Sequence, residues 1–227
     1  MRIGILGTGM VGQALAAKLA EGGYEVVVGT RDPAATLARD ESDGYGNPPF
    51  RVWHAQHPDV KLGSFADAAA HGELVVNATA GAASVDALRL AGEANLDGKV
   101  LVDIANALDF SRGMPPSLLV ANTDSLGEQI QRALPAVRVV KALNTMNALV
   151  MANPRQLADG DHTVFVCGDD PEAKALVTRL LTEGFGWRDV IDLGDLTAAR
   201  AAEMVLTIWL RLMGALQTPM FNLKVVR

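Results

Sequence analysis

The chain has 227 residues, of which 49% are apolar and 20% charged, with a formal net charge of -6. This is the composition of a folded globular protein, and its acidic balance supplies no positive field for a phosphodiester backbone or an anionic membrane surface. Aromatics make up only 5%, so Ala, Val and Leu must build the core, and the one cysteine, Cys167, leaves no partner for a disulfide or a cysteine-pair zinc site. A reducing, cytoplasmic setting fits.

In chain order, Ile3 to Leu6 reads as a strand running straight into glycines, with no signal peptide expected. Val11 to Ala20 has helical spacing, and Glu25 to Gly29 is the second strand. Asp43 to Pro58 breaks the rhythm. It is rich in Gly and Pro and gathers Tyr45, Phe50, Trp53, His54 and His57. It reads as a loop or inserted hairpin: a flap over a ligand, a subunit contact, or a surface loop pinned by its own rings. Strands are expected at Leu74 to Asn77, Val100 to Ile104 and Val137 to Lys141. Ser84 to Ala94 and Ser125 to Leu134 read as crossover helices, the second opened by Asp124-Ser125 as a cap. A loop, Asn144 to Pro154, leads to a strand (Thr163 to Cys167), a helix (Pro171 to Thr182), a strand (Val190 to Leu193) and a long helix from Leu196 to about Met213. Its apolar run, Met204 to Leu210, is too short to cross a bilayer.

Strands alternating with helical stretches predict an α/β fold, a Rossmann-type doubly wound parallel sheet. Residues 1–150 would form its dinucleotide-binding part, and 151–227 a small C-terminal α/β extension packed on it as one folding unit.

Gly7-Thr8-Gly9-Met10-Val11-Gly12 follows the first strand and opens the first helix. In a dinucleotide fold the first glycine allows the tight turn, the second lets backbone N–H groups approach the pyrophosphate, and the third lets helix and strand pack closely. A glycine turn without a ligand is the plain alternative. At the end of the second strand, where an acidic side chain would select NAD, stand Thr30 and Arg31, suited to the 2'-phosphate of NADP. Asp32 would be the ribose ligand if the register slipped by one or two residues. Three more strand ends should line the crevice: Asn77-Ala78-Thr79-Ala80, Ile104-Ala105-Asn106, and Lys141 to Ala148 with Asn144, Met146, Asn147 and Ala148. For any single Asn or Thr there, ordinary turn chemistry is an equal reading.

A carbonyl-reducing dehydrogenase needs a proton donor beside the hydride acceptor, but none of His54, His57, His71 and His162 falls at a crevice strand end. No metal is expected. Lys141 is the only strand-end base, and an ion-paired lysine is its plain role. Hydride transfer between two bound ring systems depends chiefly on stacking and distance, which suits a crevice without a clear acid.

Ile3 to Gly12 with Gly29-Thr30-Arg31, the Lys141 to Ala148 loop, Val166-Cys167-Gly168-Asp169-Asp170 and the C-terminal helix together resemble the NADPH:coenzyme F420 oxidoreductase family along essentially the whole chain. The resemblance implies a homodimer moving hydride directly between NADP(H) and the 5-deazaflavin of coenzyme F420, with a flavin as the nearest substitute acceptor. It places Thr8 to Val11 at the pyrophosphate, Thr30 and Arg31 at the 2'-phosphate, and Asn77 to Ala80, Ile104, Asn147 and Ala148 around the nicotinamide half. Asn144 and Met146 are the candidates for stacking near the acceptor. Archaeal members carry His where Asn144 stands, and a Lys where this chain has Ala34 and Ala35. Similar domains serve ferric reductases fused to membrane helices. A non-catalytic NADP-binding redox sensor is the rival of a different class. The apolar C-terminal helix, with Met220 and Phe221, is expected to form a dimer interface or a wall of the acceptor pocket.

Overall fold

A computed structural model describes residues 1–42 and 46–227. The chain gives β1 (Arg2–Leu6), α1 (Met10–Glu21), β2 (Glu25–Thr30), α2 (Pro33–Ala38), α3 (Phe50–Gln56), β3 (Lys61–Ser64), α4 (Phe65–His71) and β4 (Leu74–Asn77). Then come α5 (Ser84–Ala91), α6 (Glu93–Leu96), β5 (Val100–Asp103), and a small ribbon of β6 (Leu108–Asp109) with β7 (Ser117–Leu118). The remainder is α7 (Leu126–Ala133), β8 (Arg138–Ala142), α8 (Ala148–Ala152), β9 (Thr163–Cys167), α9 (Pro171–Arg179), β10 (Asp189–Asp192) and α10 (Ala199–Leu216).

Eight strands form one sheet in the order β10-β9-β8-β5-β4-β1-β2-β3. From β8 to β3 all neighbours are parallel. β9 runs antiparallel to β8, with Lys141 opposite Cys167, and β10 is parallel to β9. The last third of the chain therefore extends the same sheet. Strand side chains alternate between faces. Ile3, Ile5, Val26 and Val28 pack under Leu15 of α1, Val150 of α8 and Val177 of α9. Leu6, Val27, Val75 and Leu101 pack under Ala68 of α4, Leu88 of α5 and Ile130 of α7. No helix among the described residues is long and apolar enough to cross a membrane.

Several elements differ from the sequence expectation. The loop or hairpin expected at 43–58 contains a helix, α3; Asp43 and Tyr45 lie outside the described residues. Its prolines read as breakers, yet Pro49 sits at the N-cap. Its rings recur at helical spacing and stack on one another, Trp53 on His57 at 4.3 Å and Phe50 against Trp53 at 5.3 Å. β3 is an edge strand with one large apolar residue, too weak a pattern to read, and α4 is opened by a capping box between Ser64 and Asp67. The expected loop 144–154 contains α8, and β2 runs one residue beyond Gly29, through Thr30.

Candidate active site

The six parallel strands end on one edge of the sheet, so the segments after β8, β5, β4, β1 and β2 lie side by side there. The chain leaves β1 toward β2 and β3 and later returns to β4 on the other side, which opens a crevice at that point.

Gly7 has φ +120°, and a Cβ on it would lie 2.5 Å from the Ala78 carbonyl oxygen. A Cβ on Gly12 would lie 2.1 Å from the Gly7 oxygen. The fold itself requires these two glycines. Gly9 is different: its backbone is extended (φ -72°, ψ 177°), and a Cβ there would meet nothing within 4 Å. Gly9 is the N-cap of α1 and offers no side-chain cap, so the first-turn N–H groups face an open crevice with the positive end of the helix dipole behind them. That geometry fits a pyrophosphate.

Beside the loop lies a cavity of about 490 Å³ lined by Thr8, Gly9, Gln13, Thr36, Arg39 and Phe50. α3 and the prolines before it thus wall the crevice on the β2 side. Thr30 is buried, with its hydroxyl 2.9 Å from that of Thr36, and Thr36 donates to the Asp32 carbonyl at 2.8 Å. Each hydroxyl carries one hydrogen, so Thr30 donates to Thr36 and has none left for a phosphate. The Asp32 carboxylate accepts from the Ala35 N–H at 2.9 Å and caps α2. Arg31 and Arg39, at the two ends of α2, are exposed and have no hydrogen-bond or ion-pair partner among the described residues. Sequence reasoning missed Arg39. The Asp32-Pro33 pair, a cap followed by a first-turn proline, could have revealed the helix that carries Arg39 to the wall of that cavity.

The middle strand ends are tied together below the crevice floor. The Asn77 amide donates to Asp103 at 2.8 Å and to Ser84 at 3.1 Å, while its oxygen accepts from the Thr79 hydroxyl at 2.7 Å. This holds the Asn77 to Ala80 turn, in which Ala78 and Thr79 are half-buried and Ala80 is exposed. Ile104 and Ala105 are buried, and Asn106 is half-buried.

After β8, Asn144 uses both amide hydrogens, one on the Asn106 side-chain oxygen and one on the Ala202 carbonyl, each at 3.1 Å. Asn106 returns a bond to the Asn144 carbonyl at 2.8 Å. Asn144 thus clamps the β5 loop and α10 together, and Met146 is packed in the core. Asn147 caps α8, accepting from the Leu149 and Val150 N–H groups, and donates to the Pro219 carbonyl of the C-terminal tail. Ala148 is buried in the first turn of α8.

Lys141 is fully buried between Asp103 (2.9 Å) and Glu203 (2.8 Å). Burial pushes its pKa down, but the two carboxylates outweigh that and hold it above the ordinary lysine value. It is the ion-paired lysine of the plain reading, closed off from the crevice. Burial likewise pushes the Cys167 thiol up to about 12, which leaves it inert. A ring nitrogen of each histidine lies within hydrogen-bond distance of a backbone carbonyl: Val60 for His54, Trp53 for His57, Glu25 for His71 and Pro154 for His162.

A mostly parallel sheet with a glycine crevice at its switch point, and unpaired cations at both ends of the helix after β2, defines a Rossmann-type dinucleotide-binding fold. Residues 2–107 match the family described as NADP oxidoreductase, coenzyme F420-dependent. The crystal structure of a provisionally assigned F420-dependent NADP reductase from Arthrobacter sp. FB24 is 60% identical, covers 99% of both chains and superposes with a TM-score of 0.95. The F420-dependent NADP reductase of Methanothermobacter marburgensis is 28% identical across 93% of this chain and 92% of its own. Metalloreductase STEAP3 of Rattus norvegicus is 29% identical across 90% of this chain, which spans only 36% of STEAP3. The chain belongs to the coenzyme F420-dependent NADP oxidoreductase family and is an NADP-dependent oxidoreductase.

Proposed function

We propose that the protein transfers hydride between NADP(H), laid along the crevice, and the deazaflavin ring of coenzyme F420. The observation that carries this reading is the full-length 60% identity to the Arthrobacter protein, supported by a Gly9 that the fold itself does not demand. The bound dinucleotide supplies the ring that gives or takes the hydride. Thr8 to Val11 and the α1 N–H groups receive the pyrophosphate, and Arg31 with Arg39 receives the 2'-phosphate. Asn77 to Ala80, Ile104 to Asn106, Asn147 and Ala148 flank the nicotinamide half. Asn144 acts by locking the β5 loop to α10 rather than by stacking on the acceptor, and Met146 supports that loop from the core. The crevice side chains exclude water and fix the approach of the two rings, on which transfer of hydride depends.

The protein works as a homodimer through α10. Ile208 and Leu216 of that helix are exposed, while Trp209, stacked on Phe221 at 5.2 Å, has a buried indole N–H without a partner among the described residues. Sedimentation at micromolar concentration tests this, and a monomer refutes it.

Stopped-flow mixing of NADPH-loaded protein with coenzyme F420, and separately with FMN or FAD, tests the acceptor. Rapid oxidation by the deazaflavin alone supports the proposal. Preference for a flavin replaces it with a second reading, which the similarity to a metalloreductase favours. Silence toward every acceptor refutes both.

A further inference from the structure

We infer that the buried Asp103–Lys141–Glu203 cluster holds one surplus negative charge beneath the nicotinamide end of the crevice and biases the bound dinucleotide toward its oxidised form. The inference rests on the placement of NADP(H) proposed above.

The charge count comes from the hydrogen bonds. Asp103 Oδ1 accepts from the Asn77 amide at 2.8 Å and the Ala105 N–H at 3.2 Å, and Oδ2 accepts from Lys141 Nζ at 2.9 Å. Glu203 Oε1 accepts from Lys141 Nζ at 2.8 Å and the Gly127 N–H at 3.1 Å, and Oε2 accepts from the Leu126 N–H at 2.9 Å. The third Lys141 hydrogen goes to the Ala105 carbonyl at 2.5 Å. Every carboxylate oxygen accepts from an N–H donor, the bonding that two ionised acids require. Two carboxylates and one ammonium leave a charge of -1, with side chains 0% to 3% exposed.

Anchoring α10 to β8 would need only one acid per lysine, and a neutral pair costs less to bury than a charged triad. The surplus is instead maintained by the N-terminal N–H groups of α7. Asp103 is the last residue of β5, and the cluster bonds directly to Ala105 and to Asn77, which lie in the two strand-end segments proposed to flank the nicotinamide. An oxidised nicotinamide carries a positive charge that disappears when it accepts hydride. A fixed negative charge below it, in a poorly polarisable interior, favours the cationic form.

Dissociation constants for NADP+ and NADPH, measured by fluorescence titration on wild type and Glu203→Gln, test this. The glutamine keeps a carbonyl oxygen for one of the two α7 N–H groups and takes the cluster to neutrality. The affinity for NADP+ relative to NADPH should fall by about three- to tenfold. A tenfold change corresponds to a bound couple about 30 mV more positive. Asp103→Asn should shift the ratio the same way and supplies the reading if Glu203→Gln does not fold, whereas the exposed Glu183→Gln should leave it alone. An unchanged ratio in a folded cluster variant that binds both nucleotides overturns the inference and leaves the triad as a strut for α10. Failure of wild type to bind either nucleotide would instead overturn the crevice reading itself.

Discussion

Gly9 and Gly12 stand three residues apart in one motif, yet the structure predicts opposite consequences for replacing them by alanine. A methyl group on Gly12 would lie 2.1 Å from the Gly7 carbonyl oxygen, far inside van der Waals contact with backbone that cannot swing away. Overpacking of this kind costs about 1–3 kcal/mol. For a chain of this length that lowers the melting temperature by roughly 2–12 °C. On Gly9 the methyl group points into open space from an extended backbone that alanine adopts freely. Reduced freedom of the unfolded chain contributes about 0.4–1 kcal/mol, and loss of a favourable N-cap residue costs about the same. Gly9→Ala should therefore melt within about 3 °C of wild type. Its effect falls on the ligand: the methyl group sits where a phosphate must approach the α1 N–H groups. Losing one charge-assisted hydrogen bond weakens NADPH by about 10- to 150-fold. Thermal melting and NADPH titration of both variants decide the matter. A destabilised Gly9→Ala, or one that binds NADPH normally, would refute the assignment of that glycine to the ligand.

Arg31→Ala and Arg39→Ala should each weaken NADPH by roughly tenfold and spare NADH, as expected for one phosphate contact apiece; equal losses for both nucleotides would place the 2'-phosphate elsewhere. The native Cys167 thiol should resist a disulfide reagent at pH 8 and react only in denaturant, since burial holds its pKa up at about 12; fast labelling of the native protein would contradict the packing. Asp124, held at about 2 chiefly by Arg132, stabilises the folded chain above its unfolded value of 3.8, and that contribution is lost as pH falls from about 4 to 2. Asp124→Asn should lower stability at neutral and alkaline pH by about 1 kcal/mol or less, because Arg132 is largely solvated, and should match wild type near pH 2, so that its acid limb is flatter. An identical acid limb in the variant would remove Asp124 from that account.

Much of the crevice was legible from local pattern. Short β-branched runs, helical spacing and Gly7 to Gly12 are contiguous signals, each decided by residues within one strand and one turn of each other, so strand ends and the dinucleotide loop could be placed without a third dimension. α3 and β3 were not legible. The first hides behind two prolines that are harmless at a helix start, and the second is an edge strand with one apolar face to fill.

The order of the strands β1, β2, β4, β5, β8, β9 and β10, the glycine loop and the cation after β2 were determined by the sequence alone, because backbone conformation and side-chain periodicity are local properties. Only the tertiary structure decided what each polar side chain is free to do. It closed Thr30 onto Thr36, turned Asp32 into a helix cap, returned Arg39 to the crevice and locked Asn144 against α10. It also drew Asp103, Lys141 and Glu203, a hundred residues from first to last, into one buried cluster. Hydrogen bonds and burial are pairwise facts between distant segments, and no local pattern in the chain records them.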